Sequence, residues 1–111
     1  EKYQEEYFMD IYPNEYMLYS LIVKPYQRKK LGAITHKDFS CRIQTVNKEL
    51  HPEVTTLLQK YNEKTDCPVL LNTSFNDNGQ PIVETPNDAI KTFKNIDLDY
   101  LVIGKYVVSK K

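Results

Sequence analysis

Residues 68–76 read PVLLNTSFN, a continuous apolar run that turns polar at its C-terminal end. That is the pattern of a strand buried on both faces. A buried strand needs pairing partners beside it and cover above and below, so this stretch predicts a layered α/β fold, with α+β as the alternative. The strands expected beside it are those carrying residues 43–46 or 101–103, each apolar on at least one face. Residues 16–23 (YMLYSLIV) predict an earlier strand, ended by Lys24-Pro25. Along residues 33–46, His36, Asp38, Ser40, Arg42 and Gln44 alternate with apolar Phe39, Cys41 and Ile43. Period two predicts a second strand with one polar face.

Helices are signalled twice. Pro52 suits a first helical position, and Val54, Leu57, Leu58 and Tyr61 form the stripe of an amphipathic helix. Thr85-Pro86-Asn87-Asp88 reads as a capped start to a helix through Ala89, Ile90 and Phe93. Asp77-Asn78-Gly79 supplies turn chemistry between them. Residues 98–108, punctuated by Gly104, predict one bent strand or two short ones. The order β-β-α-β-α-β implies a mixed, twisted sheet of about four to five strands carrying two helices, with at least one crossover.

With 111 residues the chain is expected to form a single domain (residues 1–111) that buries about two-thirds of its unfolded surface. Fifteen cations balance fifteen acids, which argues against charge-driven binding to nucleic acid or to a membrane surface and leaves only a local patch as a route to it. No apolar run is long enough for a membrane helix, and residues 1–10 are acidic where a signal peptide is basic, so a soluble, cytoplasmic protein is expected. Cys41 and Cys67 form no CxxC spacing, and three glycines leave no phosphate-binding glycine loop. The chain opens at Glu1 without a Met and is read as a piece of a longer protein. Residues 1–15 carry five acids against one Lys, whereas residues 24–37 carry five cations and no acid. The two stretches either pair or stay solvated.

Two places carry candidate chemistry. On the 68–76 strand, Asn72, Ser74 and Asn76 share one face. Asn is a poor strand former, so either the strand end frays and the amides bond nearby backbone, or these uncharged groups hold a small ligand at the carboxyl end of a strand. In the other place stand His36, Asp38, Ser40 and Arg42. Arg42 offers a planar fork for phosphate or carboxylate, to which His36 and Ser40 add donors. The bland alternative pairs Arg42 with Asp38 on a solvated face. His36-x-Asp38 lacks a third ligand for a metal, and Cys41, on the apolar parity, reads as a buried hydrophobe rather than a nucleophile.

These residues also carry a resemblance. Residues 35–46, THKDFSCRIQTV, resemble the T-H-x-D-G-S-A-R-x-Q-T-V motif of the NodU/CmcH carbamoyltransferase family. Residues 68–76, continuing through Gly79, Pro81, Ile82 and Val83 to Pro86, Asp88 and Ala89, resemble its P-V-L-L-N-T-S-F-N-x-x-G-E-P-I-V-x-x-P-x-D-A signature. The likeness runs over residues 16–108, behind an acidic, Tyr-rich lead-in at 1–15. It implies the final part of a YrdC-like domain that handles carbamoyl phosphate and ATP with Mg²⁺. The family forms a carbamoyl adenylate there, and a metal-binding N-terminal domain, absent from this chain, passes the carbamoyl group to a hydroxyl. Carried over by motif, His36, Ser40, Arg42, Asn72, Ser74 and Asn76 would line the substrate and nucleotide cleft, with no metal ligand among them. Three positions depart from the pattern: Phe39 replaces Gly, Asn78 stands where Lys or Arg is common, and Gln80 replaces Glu. A bulky Phe39 is not expected to take a positive φ. A non-catalytic interaction module of the same fold, docking a partner through its N-terminus, is the alternative these changes leave open.

Overall fold

The computed structural model describes residues 2–110, which form a mixed α/β structure. The chain divides into two compact units, Glu1–Leu71 and Asn72–Lys111.

The first unit holds helix α1 (Gln4–Tyr7), strands β1 (Ser20–Ile22) and β2 (Ser40–Arg42), a 3-10 turn at Pro25–Gln27, and helix α2 (Pro52–Thr65). β1 and β2 pair antiparallel, with Ser20 opposite Arg42, Leu21 opposite Cys41 and Ile22 opposite Ser40. Alternation therefore turns Leu21 and Cys41 inward and leaves Ser20, Ile22 and Arg42 exposed. The core is Tyr7, Phe8, Leu21, Val23, Leu31, Cys41 and Ile43, with Cys67 and Val69 packed at its margin. Tyr7 and Phe8 lie inside the stretch read as a lead-in, yet both are core residues. The acidic and basic stretches do come together, through backbone rather than paired charges. Phe8 bridges Val23, the Met9 amide donates to Ile22 O at 2.9 Å, and the Lys24 amide donates to Tyr7 O at 2.9 Å.

Helix α2 starts at Pro52 as the sequence predicts and ends at Asp66, whose φ of 53° is left-handed. Its apolar stripe is not buried: Val54, Leu57 and Tyr61 are exposed and Leu58 is half-buried. Seven side chains from α1, the two strands and the segments around them already fill this unit's core. The helix is tethered at its C-terminal end instead, where Lys30 Nζ donates to Asp66 O and Asn62 Nδ2 to the Tyr3 hydroxyl at 3.5 Å.

In the second unit, helix α3 (Pro86–Asn95) packs on an antiparallel hairpin of β3 (Tyr100–Ile103) and β4 (Tyr106–Ser109). Gly104, at φ 56°, makes the turn between the strands and settles the 98–108 segment as two strands. Ala89, Phe93 and Leu101 are the core, flanked by Phe75, Val83 and Ile103. The predicted cap is complete. Thr85 Oγ1 accepts from the Asp88 amide at 3.2 Å, and the Thr85 amide donates to Asp88 Oδ2 at 3.2 Å.

Two expectations are corrected. Residues 68–76 form no strand; Leu70 and Leu71 are 39% and 68% exposed, and the Val83 amide to Phe75 O, at 3.0 Å, is the backbone bond seen there. An apolar run states a preference for burial but does not by itself specify a pairing partner, and here the two sheets pair only β1 with β2 and β3 with β4. Without that strand there is no crossover. Among the described residues the sheets are β1-β2 and β3-β4, both antiparallel, in place of one sheet in β-β-α-β-α-β order. No helix among the described residues is long and apolar enough to cross a membrane.

Candidate functional site

Of the six candidate residues, His36, Ser40 and Arg42 belong to the first unit. They lie on β2 and the turn that feeds it. The His36 amide donates to Ser40 O at 2.8 Å and the Phe39 amide to His36 O at 2.9 Å, a tight loop closed by residues 36–40. Asp38 locks it: its Oδ1 accepts from Ser40 Oγ at 2.7 Å and from the Ser40 amide at 3.0 Å. Those bonds, the hydroxyl's first, hold the Asp38 carboxyl below its ordinary range, with the charge of His36 adding in the same direction. Asp38 thus serves Ser40, and the pairing of Arg42 with Asp38 read as the bland alternative is not made among the described residues. Arg42 is exposed on the outward face of β2, opposite Ser20.

Phe39 takes φ 66°, the conformation its bulk argued against. Its carbonyl accepts from the Val23 amide at 2.9 Å, so both neighbouring strands hold it there. Arg28 lies over its ring, with the guanidinium carbon 3.7 Å from the ring centre. Cys41 is buried, and burial pushes its thiol pKa up, away from the thiolate a nucleophile needs.

The other three candidates belong to the second unit. Ser74 Oγ donates to Asn76 Oδ1 at 2.5 Å. Asn76 Nδ2 donates to Gln80 O at 3.0 Å and to Asp77 O at 3.2 Å, across the turn in which the Gln80 amide reaches Asp77 O at 3.0 Å and Gly79 takes φ 77°. The Asn76 amide therefore bonds nearby backbone, the first of the two readings its sequence left open. Asn72 and Ser74 are exposed. None of the six lines the hollow of about 170 Å³ at residues 13–19 or that of about 300 Å³ between α3 and β4.

Sequence reasoning missed Asn14 and Arg28. Asn14 is buried, and its amide joins two distant stretches: Nδ2 donates to Tyr19 O at 2.8 Å and to Ile43 O at 2.9 Å, while Oδ1 accepts from the Leu18 amide at 2.7 Å. Its backbone exchanges further bonds with Thr45, so it fixes the strand end beyond Arg42. Its partners 29 and 31 residues away leave no local trace. Arg28 had a signal only in the basic run around it.

Chemically, the first unit presents a guanidinium and an imidazole on one turn and strand, donors suited to an anion, while the Ser40 hydroxyl is engaged with Asp38. Among the described residues no three His, Cys, Asp or Glu side chains group as a metal site.

Comparison with known proteins agrees with the motifs. Residues 1–110 match the family described as carbamoyltransferase C-terminus. An uncharacterized protein of Synechocystis sp., sll1178, is 43% identical over 96% of this chain. Nodulation protein NolO of Bradyrhizobium diazoefficiens is 42% identical over 86% of it. The 3'-hydroxymethylcephem-O-carbamoyltransferase of Amycolatopsis lactamdurans is 31% identical over 87%. The chain spans 17%, 18% and 18% of these relatives' own lengths. A match over nearly all its residues places this chain in the carbamoyltransferase family, within the family's C-terminal region.

Proposed function

We propose that this chain is a C-terminal part of an O-carbamoyltransferase and binds carbamoyl phosphate and ATP for formation of a carbamoyl adenylate. An N-terminal domain outside this chain then transfers the carbamoyl group to a hydroxyl acceptor. The observation that carries the reading is the family match over residues 1–110, with an O-carbamoyltransferase among the relatives.

The residues present fit the phosphate part of that task. Arg42 offers a bidentate fork on an exposed strand face, and His36 and Ser40 sit on the turn before it. The Ser40 hydroxyl donates its one proton to Asp38 Oδ1, so it would have to turn away from Asp38 to donate to a phosphate oxygen. Mg²⁺ would arrive with the nucleotide, held by its phosphates and water rather than by an all-protein cage. A cytoplasmic location follows from where carbamoyl phosphate and ATP are available.

The test is calorimetric titration of the complete polypeptide with carbamoyl phosphate and with ATP. Arg42→Lys keeps the charge and loses the fork, so carbamoyl phosphate affinity should fall by about tenfold, the worth of one charge-assisted hydrogen bond. Wild-type affinity in that variant removes Arg42 from the site, and no heat from either ligand in the unmutated polypeptide favours a non-catalytic module.

A further inference from the structure

Beside the candidate anion site stands a contact that the family motif does not contain. Phe39 replaces a glycine at a left-handed position, φ 66°, where a bulky side chain is strained. The ring gains little burial in return, since Phe39 remains 47% exposed. What it touches is Arg28, whose guanidinium carbon lies 3.7 Å from the ring centre, at van der Waals contact over its face. Arg28 Nε donates to Val23 O at 3.2 Å, and the Val23 amide donates to Phe39 O at 2.9 Å. One end of the guanidinium is therefore pinned to the strand that pairs with the Phe39 turn. Its two terminal nitrogens have no acceptor among the described residues.

A stacked guanidinium keeps its hydrogen-bonding edge open, because its donors lie in the plane of the group and the ring covers only a face. We propose that Arg28, held against the Phe39 ring, is a second phosphoryl-binding arginine, joining Arg42 and His36 in taking a dianionic phosphoryl group. The turn 36–40 connects the two arginines: Phe39 carries Arg28 on its ring, and the next residue, Ser40, begins the strand that ends at Arg42. Where a glycine would let the backbone itself approach an anion, this chain places an aromatic platform that presents a fixed cation. The inference rests on the phosphate-binding reading above, and it leaves open only whether the phosphoryl group is that of carbamoyl phosphate or of ATP.

Titrating the complete polypeptide with carbamoyl phosphate and, separately, with ATP resolves both points. Arg28→Gln, which keeps a polar side chain of similar reach, should weaken one of the two ligands by about tenfold or more, as loss of a charge-assisted bond does. The ligand weakened names the source of the phosphoryl group. Arg28→Lys keeps the charge but loses the planar fork over the ring, so it should recover only part of the affinity. Thermal unfolding of each variant separates binding from folding: a purely structural Arg28 lowers the melting temperature and leaves affinity untouched. If wild type binds and both variants bind equally well, this inference is overturned while the phosphate-binding reading stands. If wild type binds neither ligand, the reading falls and takes the inference with it.

Discussion

At the residue scale, Asn14 does more for the first unit than any side chain the sequence singled out. It is 2% exposed, and its amide satisfies the carbonyls of Tyr19 and Ile43 and the amides of Leu18 and Tyr19. Removing it strands those groups, and a buried group left unpaired costs about 1–3 kcal/mol. Asn14→Ala should therefore destabilise the protein by roughly 2–4 kcal/mol in urea unfolding. Asn14→Asp should be no milder, since it loses both donors and buries a charge. A loss below about 0.5 kcal/mol, the range of an ordinary surface change, would show that the amide is not holding these stretches together. The residue was illegible because a buried amide works through distant partners. Arg42 and His36 were legible because their chemistry is carried by the side chain itself, in a motif twelve residues long. Phe39 lies between these cases: its departure from glycine was visible, but the backbone angle and the Arg28 contact that make it matter were not.

At the element scale, the features read correctly are those decided by neighbours in sequence. Pro52 opens α2, Thr85-Pro86-Asn87-Asp88 caps α3, Asp77-Asn78-Gly79 turns, and Gly104 divides the last strands. The features misread depend on a distant partner. Residues 68–76 have the letters of a central strand and pair with none of the four strands, and the α2 stripe has helical spacing but stays largely exposed. The cap of α3 offers a measurable consequence. Helix α3 supplies Ala89 and Phe93 to a core whose other fully buried residue is Leu101, so loosening its first turn should be felt throughout this small unit. Thr85→Ala removes the acceptor for the Asp88 amide and should cost about 1 kcal/mol, whereas Thr85→Ser, which keeps the hydroxyl, should cost little. Equal stability of the two variants in denaturant titration would mean that the capping box contributes nothing measurable.

At the scale of the whole molecule, the chain covers less than a fifth of the relatives described above, and its chemistry is correspondingly partial. Anion-binding donors are present. Cys41 is buried with its thiol pKa raised, and among the described residues no three His, Cys, Asp or Glu side chains group as a metal site. Group transfer needs acceptor, donor and catalytic groups held at fixed mutual geometry, and aligning them supplies about 7–11 kcal/mol of the barrier reduction. On the reading proposed above, this chain would hold one reactant's phosphate and leave the acceptor to a domain outside it, so alone it would forgo that alignment. The 111 residues alone should therefore show no carbamoyl transfer when given carbamoyl phosphate, ATP, Mg²⁺ and hydroxyl acceptors, whereas the complete polypeptide should turn over under the same conditions. Mass-spectrometric detection of a carbamoylated acceptor, against a control without protein, reads both. Product from the short chain above that control would place the transfer chemistry within these residues, and His36 and Asp38, the two bases on the 36–40 turn, would then be the first groups to replace.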